Sequence, residues 1–232
     1  MNRARQTVTL TADLIILTIR DGVLSVLLVE RENKPFQGRL ALPGGFLRGD
    51  ESLEETAARE LAEETGLDAV GLRLRQVGVY SAPDRDPRRP RVVTCAFLAI
   101  AADLPVPVAG SDARAARWVP VARAADPGLA FDHDRILADA VDLARTLLQF
   151  STIATVFCGP EFTIGDLREV YETVWGVELD KPNFHRKVTD ADGFLEPTGD
   201  KRPSATGRPA ALYRAGAAAE LVPPMMRPRS GA

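Results

Sequence analysis

Apolar positions follow two rhythms along this chain. Over roughly its first 120 residues, short apolar runs alternate with turn signals. LIILTI (Leu14–Ile19) and VLSVLLVE (Val23–Glu30) flank Asp21-Gly22, the pattern of a hairpin with a tight turn. NKPFQGRLALPGG then reads as a Pro- and Gly-rich loop. Further strands are expected at Leu72–Tyr80, Val92–Ile100 and Arg117–Val119, with APDRDPRRPR, which its prolines bar from a sheet, as a loop between the first two. Between loop and strands, Leu53, Ala57, Ala58, Leu61 and Ala62 share one half of a helical wheel. Ser52 and Glu55 form a capping box ahead of them, and Gly66 is placed to end the helix. Alternating strand and helix signals of this kind predict an α/β domain around a mixed sheet.

From Asp132 the helical rhythm takes over. Ile136, Ala140, Leu143, Ala144, Leu147 and Leu148 recur at helical spacing, so 132–150 reads as an amphipathic linking helix that leaves the first domain. The first domain is expected to span 1–148 and a second 151–215. TIATVF reads as a short strand. FTIGDLREVYETVWG carries a helix capped by Thr163 with Asp166, and Asp180 caps a shorter one, KPNFHRKVTD, with Pro182 in its first turn. GFLEPTGDKRPSATGRPAALYR predicts two short strands joined by a basic loop. The remaining 216–232 is expected to be a flexible tail.

Composition narrows the class. The chain has 232 residues, 45% hydrophobic and 26% charged, with a net charge of −3. It can bury a core, and its total charge points to neither nucleic acid nor membrane. Cys95 and Cys158 have no metal-ligand spacing and read as buried free thiols in a reducing compartment. MNRARQTVTLTAD has no apolar core of a signal peptide, and no apolar run approaches membrane-spanning length. A cytoplasmic protein with no membrane contact is expected.

The chemistry concentrates in GGFLRGDESLEETAARELAEETGL, Gly44 to Leu67, which holds six glutamates. Glu60, Glu63 and Glu64 gather at the edge of the helix's apolar face. A carboxylate cluster there is costly unless a cation neutralises it. Mg²⁺ (or Mn²⁺) is the natural candidate, because it needs few protein carboxylates and brings phosphate ligands with it. Arg59 can pair with a neighbouring carboxylate and hold it. From Gly45 the order is Gly, five residues, Glu51, seven residues, Arg59-Glu60-Leu61, one residue, Glu63-Glu64, one residue, Gly66-Leu67. This is a complete match to the Nudix box, and the domain resembles a Nudix α/β/α sandwich with a mixed sheet. The resemblance implies metal held by Glu60, Glu63 and Glu64 against a diphosphate, with Glu63, Glu64 and Arg59 in the catalytic set and Gly44 and Gly45 beside the ligand. It leaves open which glutamate acts as base. Pro83, sixteen positions after Leu67, stands where ADP-ribose pyrophosphatases typically carry a proline. Its loop offers Arg85, Arg88 and Arg91 to phosphate or ribose.

The second unit changes the reading. Helix, strand, helix, helix, hairpin is the order of a winged helix-turn-helix. From Lys181 onward there are nine Lys and Arg against five Asp and Glu. The helix bearing Lys181, Asn183, Arg186 and Lys187 would enter a major groove, and Lys201, Arg202 and Arg208 would form the wing. Nudix domain, linking helix, FTIGDLREVYE, LDKPNFHRKV and TGRPAALYR together resemble the Nudix-related transcriptional regulator family from about Thr7 to Arg214. That resemblance implies a homodimeric repressor of NAD biosynthesis or salvage genes. It would bind a palindromic double-stranded operator and release it on sensing ADP-ribose or a related nucleotide. An ADP-ribose pyrophosphatase whose extension only dimerises, and an extension that docks a protein, remain alternative readings. His133 reads as part of a helix-capping region, Trp118 as core or an adenine platform, and Trp175 with Phe184 as the small core of the winged unit.

Overall fold

Two long strands, β1 (Val8–Arg20) and β2 (Val23–Arg31), lead the chain. They join through Asp21 and Gly22, whose φ angles of 50° and 74° are the positive pair a type I′ turn requires. The computed structural model describes residues 7–67, 72–88, 90–102, 104–105, 113–124, 126, 128–204 and 207–228. The chain divides into two compact units. One draws on Met1–Leu17, Ser25–Ile100 and Leu104–Val141, the other on Asp142–Ala232 with Thr18–Leu24 and Ala101–Asp103. The sequence places the domain boundary near residue 148, whereas this division falls after Val141, inside the linking helix.

The first unit holds a seven-stranded mixed sheet. After β2 come β3 (Leu40–Ala41), β4 (Gly44–Phe46), β5 (Arg75–Tyr80), β6 (Arg91–Ile100) and β7 (Ala113–Pro120). The spine is β3-β2-β1-β6-β5, with β4 on β1 and β7 on β2. β1 runs parallel to β6 from Val8 opposite Arg91 to Leu17 opposite Ile100. Thr11 to Thr18 are buried without a break, as a central strand covered on both faces requires. On the edge away from β6, β4 pairs antiparallel with Thr11–Asp13, which sets Asp13 opposite Gly44. The expected Pro- and Gly-rich loop thus contains two short strands, and β5 begins three residues later than the sequence suggests.

Helix α1 (Leu53–Thr65) has the expected capping box, and Gly66 closes it at φ 67°. Its Ala57 and Leu61 pack onto Ala12, Leu14, Ile16, Leu27 and Phe97 of the sheet. Removing a fully buried leucine such as Leu61 costs about 2–5 kcal/mol when truncated to alanine. Two further helices follow, α2 (Val121–Ala124) and α3 (His133–Phe150), of which α3 belongs to the first unit only as far as Val141. Of the face its periodicity predicts, α3 buries Ile136, Ala140, Ala144 and Leu148 and leaves Leu143 and Leu147 half-buried, while Leu137 and Val141 are buried in addition.

In the second unit, α4 (Ile164–Trp175) and α5 (Lys181–Asp190) precede a hairpin of β8 (Leu195–Ser204) and β9 (Gly207–Ala215). Thr163 and Asp166 close a capping box on α4, and Asp180 caps α5. The rings of Trp175 and Phe184 both meet Tyr171 edge-on, at 4.8 and 5.4 Å. Tyr171 and Trp175 also donate to the carbonyls of Leu148 and Arg145, at 3.0 and 3.1 Å.

Three expectations are corrected. TIATVF forms a 3₁₀ helix, Thr152–Cys158, that buries Ala154, Thr155 and Phe157 on one side; its β-branched residues misdirect a propensity reading. The hairpin's strands are long, so Lys201 and Arg202 lie on β8 and Arg208 on β9 rather than in a loop. Residues 216–228 are not a free tail. Leu221 N donates to Phe150 O and Met225 N to Gln149 O, both side chains are buried, and Arg227 reaches the last carbonyl of α4 at Trp175.

Candidate ligand cleft and nucleic-acid face

Arginine organises the glutamates of α1. Arg59 Nε and Nη2 donate to the two oxygens of Glu51 at 2.6 and 2.9 Å, and its Nη2 also reaches the Phe46 carbonyl at 3.0 Å. Those bonds hold the Glu51 carboxyl down to about 2. Arg59 Nη1 donates to Glu60 and, at 3.3 Å, to Glu63. Arg48 grips Glu63 with a two-point fork at 3.0 and 3.1 Å. β4 passes so close to this network that a Cβ on Gly45 would overlap the Glu60 carboxylate, and one on Gly44 would overlap Ala12 O and Asp13. The paired glycines let the backbone reach the carboxylates.

A cleft of about 260 Å³ opens beside that backbone. Gly44, Gly45, Glu60, Glu64, Arg85 and Arg88 line it. Arg59, Glu63, Pro83 and Arg91, also predicted for the site, lie outside its lining. Pro83 is exposed, and Arg91 donates to the Ser81 carbonyl. Glu64 accepts from Gly44 N at 3.0 Å. Burial pushes its carboxyl up to about 8, with the charges of Glu60 and Asp13 adding to the effect and the Gly44 bond opposing it.

Asp13 and His133 complete the cleft floor, and neither was legible as a site residue. Burial raises Asp13 to about 6, although Arg85 opposes the shift. Its Oδ2 has no hydrogen-bond partner among the described residues and lies 3.5 Å from Arg85 Nη2 and 3.7 Å from His133 Nε2. His133 Nδ1 accepts from Leu42 N at 2.9 Å. Burial, then the Arg85 charge, pushes His133 down to about 3, so the ring is neutral and carries its proton on Nε2, toward Asp13. Arg85 is buried and forks onto Asp132 at 3.0 and 2.7 Å, which makes it a strut of the floor.

The upper wall joins cations to rings. Arg88 is bound two-fold by the buried Asp86 and lies 4.9 and 5.2 Å from the ring centres of Phe46 and Phe131. Arg31, from the end of β2, lies 4.7 Å from the Phe131 centre. Trp118, by contrast, packs against the hydrophobic core, with its Nε1 donating to Pro105 O at 3.2 Å.

The family resemblance implies a divalent cation, and the donor set can be tested for it. Among the described residues, no three His, Cys, Asp or Glu side chains converge as a ready metal site. Glu60 and Glu64 nevertheless face one cleft with an unpartnered oxygen of Asp13 close by, while Arg48 ties Glu63 back. Two carboxylates fit a cation of the Mg²⁺ type that takes its other ligands from phosphate and water.

In the second unit, α5 presents Lys181, Asn183, Arg186 and Lys187, all exposed, while Phe184 and Val188 face inward. Arg186 Nη2 donates to Asn183 Oδ1 at 2.9 Å. Lys201 is exposed, but Arg202 pairs with Asp166 at 2.7 Å, in the first turn of α4. The side chain of Arg208 lies outside the described residues. No helix among the described residues is long and apolar enough to cross a membrane.

Known proteins match both halves. A NUDIX domain model covers residues 9–140, and an NrtR DNA-binding winged helix domain model covers 156–215. The ADPR responsive transcriptional repressor NtrR of Acinetobacter baylyi is 33% identical over 88% of this chain and 81% of its own length. Shewanella oneidensis NrtR complexed with a 27mer DNA superposes with a TM-score of 0.74 at 33% identity, over 89% of this chain and 93% of that one. The NUDIX domain of the same Shewanella protein, complexed with ADP ribose, superposes at 0.56 with 33% identity, over 62% of this chain and 93% of that one.

Proposed function

This chain belongs to the NrtR family, which joins a Nudix domain to a DNA-binding winged helix, and from that premise we propose that it is an ADP-ribose-responsive transcriptional repressor of NAD biosynthesis or salvage genes. One observation carries the reading: a single chain holds both a carboxylate- and arginine-lined cleft and a capped helix with an exposed basic face. The first suits a dinucleotide with two phosphates. The second suits a major groove, with Asn183, Arg186 and Lys187 toward bases or phosphates and Lys181 and Lys201 toward the backbone.

As a homodimer in the cytoplasm, the protein would set two α5 helices on the half-sites of a palindrome. Ligand in the cleft releases DNA only so far as it binds the released conformation more tightly. Emptying an operator from near full occupancy takes about 5.5 kcal/mol of differential affinity. By linkage, operator DNA must weaken ADP-ribose binding by the same factor. Glu60 and Glu64 would hold Mg²⁺ or Mn²⁺, which screens phosphate charge and lowers the pKa of bound water. Gly44 and Gly45 bring the backbone against the ligand, and Arg59 keeps Glu51 and Glu60 in place.

The test is anisotropy of labelled DNA from upstream of NAD-metabolism genes, with ADP-ribose titrated in and AMP assayed in the same wells. Tight binding released by ADP-ribose is the expected result. AMP produced by a protein that never binds DNA would replace this reading with the second one, a Mg²⁺-dependent ADP-ribose pyrophosphatase. That reading is favoured by the complete glutamate box and by the placement of Glu64 in the cleft.

A further inference from the structure

Arg31 has no close ion pair among the described residues, although Glu64, Asp86 and Asp13 act on it from further off. It lines the cleft and is half-buried, yet among the described residues no carboxylate lies within ion-pair distance of it. Its hydrogen bonds are to neutral carbonyls, Nε to Pro35 O at 2.9 Å and Nη2 to Asn33 O at 3.4 Å. A guanidinium offers five N–H donors, so most of its capacity is unused. The neighbouring Arg88 differs, since Asp86 already neutralises it. A half-buried charge with no close counter-ion is costly, and an anion carried by a ligand would relieve that cost.

The ring beneath Arg31 points the same way. Phe131 has φ 59°, a left-handed backbone that aromatic residues rarely adopt, and Phe36, which meets it edge-on at 4.9 Å, has φ 63°. Strain of this kind costs about 1–3 kcal/mol per residue and gathers at ligand clamps. Here it holds a flat ring under the guanidinium and limits where Arg31 can point.

We propose that Arg31, positioned by Phe131, is the anion anchor of the cleft and takes the diphosphate of a nucleoside diphosphate ligand in the cleft it shares with Glu60 and Glu64. The proposal rests on the ligand reading above and adds the group that grips it. Arg85, which the sequence singles out, is a strut, and Arg88 serves as a neutralised second wall.

Calorimetry on the full chain tests this, with ADP-ribose, ADP and adenosine as probes at several salt concentrations. Arg31→Gln weakens ADP-ribose and ADP by about tenfold or more, the scale of a lost charge-assisted contact, and leaves adenosine unchanged. The dependence of affinity on salt becomes shallower in the same variant. Arg31→Lys keeps the charge but not the planar fork and falls between. Phe131→Leu weakens ADP less than Arg31→Gln does and restores none of the lost salt dependence when the two are combined. Arg31→Gln binding ADP within twofold of wild type overturns the proposal, as does an equal loss for adenosine. Wild-type protein that binds ADP but not ADP-ribose overturns the ligand reading and leaves the Arg31 comparison to be made on ADP. Wild-type protein that binds neither overturns both.

Discussion

Gly45 shows how one missing atom organises the cleft. Its backbone lies where any side chain would overlap Glu60, so Gly45→Ala must displace either β4 or the carboxylate. A loss of about 1–3 kcal/mol in stability is expected from the overpacking, together with weaker Mg²⁺ binding. Thermal melts with and without Mg²⁺ check it, and a variant that melts and binds like wild type would mean β4 simply shifts. Glu64 makes a pH prediction. Its folded carboxyl titrates near 8, above its ordinary 4.5. The neutral form therefore favours the metal-free fold fully below about 4.5, and that contribution is lost as pH rises through 8. A divalent cation must displace this proton, so Mg²⁺ affinity climbs from pH 6 to about 8 and then levels. Titration calorimetry in buffers of different ionisation enthalpy reads the released proton directly. Glu64→Gln should abolish that release, and persistence of it in the variant would assign the proton to another group.

At the scale of elements, the last described segment behaves as part of the winged unit. Residues 216–228 pack Leu221 and Met225 into buried positions and tie Arg227 to the end of α4. Each buried side chain contributes about 1.5–3 kcal/mol. Ending the chain at Ala215 should therefore lower the unfolding free energy of the winged unit by several kcal/mol, read as a lower urea midpoint, and weaken DNA binding, while Mg²⁺ binding in the cleft persists. Unchanged unfolding would show that the segment contributes nothing. The cap of α4 offers a smaller change. Thr163→Ala removes the oxygen that accepts from Asp166 N and should cost about 1 kcal/mol. Neither device involves the glutamate helix, so either variant separates folding of the second unit from ligand binding in the first.

For the molecule as a whole, charge placement outweighs charge total. A chain of net charge −3 still presents a basic α5. Replacing Arg186 or Lys187 by alanine should weaken operator binding and, where a phosphate contact is lost, reduce the salt slope by about one. Arg202→Ala should weaken it less, because that guanidinium is already held by Asp166. Anisotropy across a salt series distinguishes them, and an Arg202 effect larger than that of Arg186 would move the DNA face toward the hairpin.

Local order along the chain was enough for the two-unit plan, the capped helices and the glutamate box. Each is written in short-range spacing: caps three residues apart, apolar positions three and four apart, a turn that needs Asp-Gly. The 3₁₀ helix at Thr152–Cys158 escaped because a short apolar run reads alike in several conformations. The cleft belongs to tertiary structure. Asp13 comes from β1, Arg31 from β2, Phe131 from the turn before α3 and His133 from its first residue, and no spacing rule links them. Pairing decided their roles as well. Arg85 became a strut once Asp132 and Asp13 met it, Glu63 turned to Arg48, and Arg31 was left in the cleft with no close ion pair among the described residues. Sequence names the ionisable groups, but only the packed chain determines which of them neutralise one another and which are left to meet a ligand.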